Sequence, residues 1–340
     1  MYRFNCDYLE GAHPNIIKRL TDTNLNQTVA YGFDEISESA KAKIREACEA
    51  PAAKVFFLVG GTQTNYTVLD SILENYEGVL AADTGHVSVH EAGAIEYSGH
   101  KVITVPAENG KVSPNAARKY LEGFYGDSTW PHMVSPGAIY ISHPSEYGTL
   151  YTKDELIALR EICDKYSMRL FLDGARLGYG LASPDTDVTL PDIAKYCDAF
   201  YIGGTKVGAL FGEAVVITND SLGSRFFTEM KQHGALLAKG RMLGIQFDEL
   251  FTDSLYMKIS EHAVSLAYKI KNALVEKGYE FYFDSPTNQQ FPLLSKEKYA
   301  EISKEAVLDD WGEVDGKQLV RITTSWATSE EEVDRLISLF

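Results

Sequence analysis

The sequence predicts an α/β protein: a mostly parallel sheet with helices on both faces, plus a smaller C-terminal α+β domain. Three observations carry this. Short apolar runs alternate with helix-period segments through the first two-thirds of the 340 residues, the pattern of strand–helix–strand crossovers. Several runs stop at glycines, so tight turns follow their C-terminal ends. After residue 219 the alternation gives way to long helical stretches and short strand-like pieces.

Residues 1–30 read as a polar arm and a helix over roughly 14–24, with Pro14 in its first turn. Residues 31–253 form the large domain. A loop at 30–34 leads to a helix capped by Ser37 or Ser39 and ending near Cys48. A strand at 54–59 runs into Gly60-Gly61-Thr62-Gln63-Thr64-Asn65 and a helix to about residue 75. Strand 79–82, helix 91–98 and strand 101–105 follow. Asn109-Gly110 turns the chain, and Ser113-Pro114 opens a helix to about residue 124. Strand 138–142, helix 153–166, strand 168–173 and helix 190–196 then lead to the apolar run before Gly203. The run at 214–218 is expected to pair against it, and one long helical stretch covers 220–250. Residues 254–340 form the small domain. It has a helix over 255–278, strand-like pieces at 279–283, 291–294 and 318–324, and a last helix over 328–340. Thr328 or Ser329 precedes three glutamates in that last helix's first turn.

Composition narrows the function. A net charge of −16 argues against nucleic acid and anionic membranes as main partners. Cys6, Cys48, Cys163 and Cys197 show no metal-ligand spacing, which suits a reduced, cytoplasmic protein. The first residues lack an apolar signal-peptide core, and no apolar run approaches a membrane span. There is no internal repeat.

The chain is organised around Asp198-Ala-Phe-Tyr-Ile-Gly203-Gly204-Thr205-Lys206-Val-Gly208. A buried strand, two glycines and a lone lysine place Lys206 at the mouth of a sheet. A desolvated lysine loses its proton readily and can attack a carbonyl. Alone, such a lysine is more often an ordinary loop residue. Three upstream features change the balance. Gly60-Gly61-Thr62, between a strand and a helix, offers free N–H groups to an anion, although most such turns bind nothing. Neither the dinucleotide nor the P-loop fingerprint is present. Asp173, at the end of Leu170-Phe-Leu-Asp-Gly-Ala-Arg176, points into the crevice where α/β proteins bind ligands, unless it is only a helix cap. His86, in Thr84-Gly-His-Val-Ser-Val-His90-Glu91-Ala-Gly93, follows a strand and could stack on a flat cofactor, although a lone histidine is more often structural. The His90-Glu91 order is wrong for a zinc-binding HExxH helix.

In that order these pieces resemble the threonine aldolase and aromatic amino acid beta-eliminating lyase family of fold-type I pyridoxal-phosphate enzymes. The resemblance runs nearly end to end. It rests on Tyr31-Gly32-x-Asp34, Gly61-Thr62-x-Thr64-Asn65, His86-x4-Glu91-Ala92-Gly93, Asp173-Gly174-Ala175-Arg176, Thr205-Lys206 and Arg321. It implies a pyridoxal 5'-phosphate cofactor carried by Lys206, with Asp173 on the pyridine nitrogen and His86 on the ring. Gly61, Thr62 and Thr205 would hold the phosphate. Arg241 would reach a phosphate in a neighbouring subunit, and Tyr31 would approach from the partner. Arg176 and Arg321 would clamp the substrate carboxylate, which suits the guanidinium fork. A homodimer or homotetramer is implied, because the site is shared between subunits.

Two positions depart from the family pattern. Cys6 stands where a serine is usual, beside Asp7. Glu146 stands two residues before Gly148, where typical threonine aldolases carry histidine, a swap shared with phenylserine-aldolase-like members. The expected reaction is retro-aldol cleavage of a β-hydroxy-α-amino acid to glycine and an aldehyde. His86, His90, Glu146 or a water are the candidates for the base that takes the hydroxyl proton. Alternatives are phenylserine-type specificity, a β-eliminating lyase, a non-catalytic protein of the same fold, and a nucleotide-binding enzyme using the Gly60-Gly61 turn.

Overall fold

The computed structural model describes residues 1–340. A two-residue strand, β1 (Tyr2–Arg3), pairs in parallel with Ala306–Val307 far along the chain. The central sheet is built from β2 (Lys54–Leu58), β3 (Glu77–Ala82), β4 (Val102–Val105), β5 (Ser135–Ser142), β6 (Arg169–Asp173), β7 (Ala199–Gly203) and β8 (Glu213–Ile217). Their spatial order is β2-β8-β7-β6-β5-β3-β4. Only β8 runs against its neighbours, β2 and β7; every other adjacent pair is parallel. The expected pairing of the run at 214–218 against the lysine-bearing strand is therefore what the sheet shows.

Side-chain alternation sorts the core into two layers. Ile139, Leu170, Leu172, Phe200 and Ile202 face one layer. Tyr140, Phe171, Ala199 and Tyr201 face the other, where Val68, Leu69 and Ile72 of helix Gly61–Ile72 cover them. Both faces are buried, which is why these strands read as continuous apolar runs.

The second sheet is antiparallel, in the order β12-β13-β10-β9. It comprises β9 (Phe281–Phe283), β10 (Gln289–Leu294), β12 (Asp309–Val314) and β13 (Lys317–Thr323); β11 (Ala306–Val307) is the partner of β1. Helix Leu255–Glu276 packs its buried face, including Leu266, Ile270 and Leu274, against this sheet's core. No helix is long and apolar enough to cross a membrane.

Several elements differ from expectation. The helix Glu35–Ala47 is capped by Asp34, whose side chain accepts from both the N–H and the hydroxyl of Ser37. Ser37 is thus a donor in the first turn rather than the cap, and Ser39 lies inside the helix. The stretch 220–250 is two helices, Phe226–Gln232 and Arg241–Leu250, parted by a turn at Gly234 with φ +68°. Of the helix expected at 91–98 only Ala94–Tyr97 is helical, entered through Gly93 at φ +73°; a separate short helix, His86–Val89, precedes it.

Candidate active site

Six chain segments meet at one edge of the central sheet. β2, β3, β5, β6 and β7 all end there, and antiparallel β8 begins there. This is the crevice outside the carboxyl ends of the strands. The loop after β6 hugs β7 so closely that a Cβ on Gly174 would stand 2.0 Å from the carbonyl oxygen of Tyr201. Glycine at that position lets the Asp173 and Lys206 loops lie side by side.

A cavity of about 330 Å³ opens at this edge. It brings together Gly61, Thr62, His86, Glu146, Asp173, Arg176, Thr205 and Lys206. A wider mouth of about 760 Å³ shares Tyr8, His86, Glu146, Arg176 and Lys206 with it and adds His90 and Arg321. Larger or similar grooves lie elsewhere on the surface, so volume does not single out this site. The side chains do.

Asp173 is buried and takes four hydrogen bonds. Oδ1 accepts from the Tyr201 hydroxyl at 2.5 Å and the Ala175 N–H at 3.0 Å. Oδ2 accepts from the Tyr140 hydroxyl at 2.6 Å and Asn65 Nδ2 at 2.9 Å. Burial pushes its pKa up, but the His86 charge and these donors outweigh burial and hold it below the usual aspartate value. Sheet register explains the arrangement: Tyr140 lies opposite Phe171, and Phe171 opposite Ala199, so two residues on the same face bring Asp173 beside Tyr201.

His86 shares the cavity with this carboxylate, at the start of its short helix. Its Nδ1 lies 2.7 Å from Glu91 Oε1, which also accepts from Asn65 Nδ2 at 2.6 Å. Burial pulls its pKa down, but Glu91 and Asp173 more than offset that and raise it. With Nδ1–H directed at Glu91, the ring orientation is fixed. Lys206 is shifted the other way. Burial and the Arg176 charge pull it below the usual lysine value, against Asp7, Asp173 and Glu213. Its Nζ lies 5.8 Å from the centre of the Tyr8 ring.

The helix Gly61–Ile72 begins at Gly60 with no side-chain cap and no acidic residue in its first turn. Its first residues, Gly61 and Thr62, line the cavity, and a Cβ on Gly61 would reach within 3.2 Å of the Tyr201 hydroxyl. An uncapped helix start beside a desolvated lysine is an anion cradle. Arg176 and Arg321 make a second one. Arg321 is held by Asp309 at 2.6 Å and by Gln289 at 3.0 Å, with its Nε unpartnered. Burial and the facing Arg176 charge push the Arg321 pKa down, a repulsion that a bound carboxylate relieves.

These features fit a flat, phosphorylated pyridine aldehyde. A buried anion stands ready for a ring nitrogen, an amine for the aldehyde, an imidazole for the ring face and a helix start for the phosphate.

Residues 7–280 match the model of the beta-eliminating lyase family. The chain belongs to that family. It is 28% identical over 297 residues to a low-specificity L-threonine aldolase from Pseudomonas sp. (strain NCIMB 10558), covering 86% of this chain and 84% of the relative. A solved threonine aldolase structure from Leishmania major shares 40% identity and superposes with a TM-score of 0.96, covering 100% of this chain and 98% of that one. An aspartate aminotransferase from Thermus thermophilus shares the fold, with a TM-score of 0.74 at 14% identity over 100% of this chain and 91% of that one. The resemblance read from the sequence is thereby borne out, as is the fold class.

Not every family position lies at the cavity. Tyr31 lines a separate apolar hollow with Phe33 and Phe227. Arg241 donates to the carbonyls of Thr23 and Asn24 at 2.8 and 3.1 Å. Cys6 is buried in the arm, one residue before Asp7. Other residues at the site escaped the sequence reading: Tyr8, Tyr140, Tyr201, Glu213 and Asn288. Tyr140 and Tyr201 carry a signal in principle, since a phenol inside an apolar strand needs a partner for its hydroxyl.

Proposed function

We propose that this protein is a pyridoxal-phosphate-dependent aldolase that cleaves a β-hydroxy-α-amino acid of the L-threonine or L-allo-threonine type to glycine and an aldehyde. The observation that carries the reading is the pairing of Asp173, an anion held by four donors, with Lys206, an amine eased toward its neutral form on the adjacent strand loop. The Pseudomonas and Leishmania threonine aldolases support the substrate class.

When bound, pyridoxal phosphate supplies an electron sink for the bond broken at the substrate's α-carbon. Asp173 would hold the ring nitrogen and Lys206 the aldehyde. Gly61, Thr62 and Thr205 would hold the phosphate. His86 would hold the ring itself. Arg176 and Arg321 bind the substrate carboxylate and so turn the Cα–Cβ bond to the angle needed for cleavage. Glu146 takes the β-hydroxyl proton. Its Oε1 is fixed by the His86 N–H at 3.0 Å and the Ser142 hydroxyl at 2.9 Å. Burial raises the Glu146 pKa, as a base working near neutrality requires.

Self-association into a dimer or tetramer belongs to this reading. Leu25, Val29, Tyr31 and Phe33 leave an exposed apolar run beside Arg241, which a second copy would cover while carrying Tyr31 and Arg241 toward the neighbouring site.

The test is aldehyde release from L-threonine, L-allo-threonine and phenylserine, with glycine and pyruvate followed in the same sample. Aldehyde with equimolar glycine is expected. Pyruvate in place of glycine would replace cleavage by β-elimination.

A further inference from the structure

Glu213 has no part in the reaction just described, yet it lines the same cavity as Gly61, Thr62 and Lys206. It is the first residue of β8, 3% exposed, and lies opposite Gly203 and Leu58. Its Oε1 accepts from the Thr205 hydroxyl at 2.9 Å, and Thr205 Oγ1 in turn accepts the Gly212 N–H at 2.9 Å. Its Oε2 is buried and unpartnered. An acid is therefore built into the wall of an anion cradle, and the Thr205 hydroxyl is turned toward that acid.

A carboxylate beside a bound phosphate would be a like-charge pair in a dry site, which disfavours its ionised form. A carboxylic acid would not. With its proton on Oε2, Glu213 keeps a carbonyl oxygen for Thr205 and gains a donor at an atom that otherwise has no partner. The charged groups around it are few. Lys206 and Asp173 act on it directly, and Tyr201 and Tyr256 sense it, but both tyrosines are pushed far above their usual range and stay neutral. Burial pushes Glu213 up to about 8, against Thr205 and Lys206.

We propose that Glu213 is the proton-bearing wall of the phosphate cradle: as an acid, it donates from Oε2 to the phosphate of the cofactor, so that phosphate binding fixes one proton in the site. Thr205 is then a positioning residue that orients Glu213. The inference rests on the cofactor reading above. It involves no covalent step; the proton comes from solvent.

The experiment titrates the apo-protein with pyridoxal 5'-phosphate and with pyridoxal, which lacks the phosphate. Each titration is run by calorimetry in two buffers of different ionisation enthalpy at pH ~9, where the phosphate is a dianion. Comparing the two ligands cancels whatever Lys206 contributes. Binding of the phosphate ester should take up close to one proton more than binding of pyridoxal. Its affinity relative to pyridoxal should fall about tenfold per pH unit above pH ~8. Glu213→Gln keeps a carbonyl for Thr205 and an N–H donor for the phosphate. It should bind the ester with no excess proton uptake and a flat pH profile. Equal proton uptake for both ligands, or an excess that survives in E213Q, overturns the proposal. If the variant does not fold, a flat affinity ratio in the wild-type protein between pH ~7 and ~9.5 overturns it equally. Failure of pyridoxal 5'-phosphate to bind removes the cofactor reading, and this inference with it.

Discussion

Asp7 grips Arg176 through two hydrogen bonds, Oδ2 accepting from Nε at 2.7 Å and Oδ1 from Nη2 at 2.9 Å. Asn288, flanking β10, adds a third at 2.9 Å to the same carboxylate. The arm, the loop after β6 and the small sheet thus meet at one fully buried carboxylate. Burial pushes Asp7 up, but Arg176 and Lys206 outweigh it and keep the group ionised. In the proposed reading Arg176 keeps Nη1 for the substrate carboxylate, and the arm presets that clamp.

Asp7→Ala strands a buried guanidinium. Removing one partner of a buried pair costs about 3–5 kcal/mol. Urea unfolding of the variant should show a loss of that order, and KM for the amino acid should rise because Arg176 loses its fixed orientation. An unchanged unfolding midpoint would mean that water replaces Asp7 at no cost.

Lys206→Ala removes the amine but little packing, since the cavity leaves room around it. The variant should fold, as judged by circular dichroism, yet lack the visible absorption that the wild-type protein acquires with pyridoxal phosphate. Aldehyde release should fall to background. Normal turnover in this variant would move the chemistry elsewhere.

Glu146→Gln tests the proton acceptor apart from the rest of the site. A positioned base contributes roughly 10²–10⁴-fold, so aldehyde release should fall by that order. Exchange of the glycine α-proton with deuterated solvent needs no β-hydroxyl and should persist, as should binding of the cofactor. Equal loss of both reactions would make Glu146 a structural support for His86, whose N–H it accepts.

How much of this was legible in the sequence follows from the range of each interaction. Lys206, Asp173 and the Gly61-Thr62 turn are local signals, an apolar run stopped by glycine, and they read directly. Tyr140, Tyr201 and Glu213 acquire their roles from strand register across β5, β6, β7 and β8, which no single run displays. Asn288 reaches Asp7 across 281 residues. β12 was missed because Asp309-Asp-Trp-Gly-Glu-Val314 has no apolar alternation; its register even shifts between Asp310 and Glu313. Asp34 outcompetes Ser37 as a cap because its two carboxylate oxygens satisfy both donors of that serine, a choice that composition leaves open.

His143 ties acid stability to the loop that carries Glu146. It is fully buried, its Nδ1 accepts the Tyr151 N–H at 3.2 Å, and its Nε2 has no partner. Burial pulls its pKa down from 6.5 to about 4, helped by Lys111 and opposed by Asp187. The folded state therefore resists a proton that the unfolded chain accepts. Above pH 6.5 both states are neutral at this residue and its contribution is complete. It is lost progressively as pH falls from there toward 4, by about 3 kcal/mol in all. Glu213 has the opposite sign: its raised value favours folding at low pH, and that contribution fades as pH climbs from 4.5 to about 8. Unfolding of the apo-protein by urea at several pH values should resolve the two. His143→Asn, which keeps an acceptor for Tyr151, should flatten the acid limb, and Glu213→Gln the alkaline one. An acid limb of the same steepness in His143→Asn would assign that loss to other groups and leave His143 protonated within the fold.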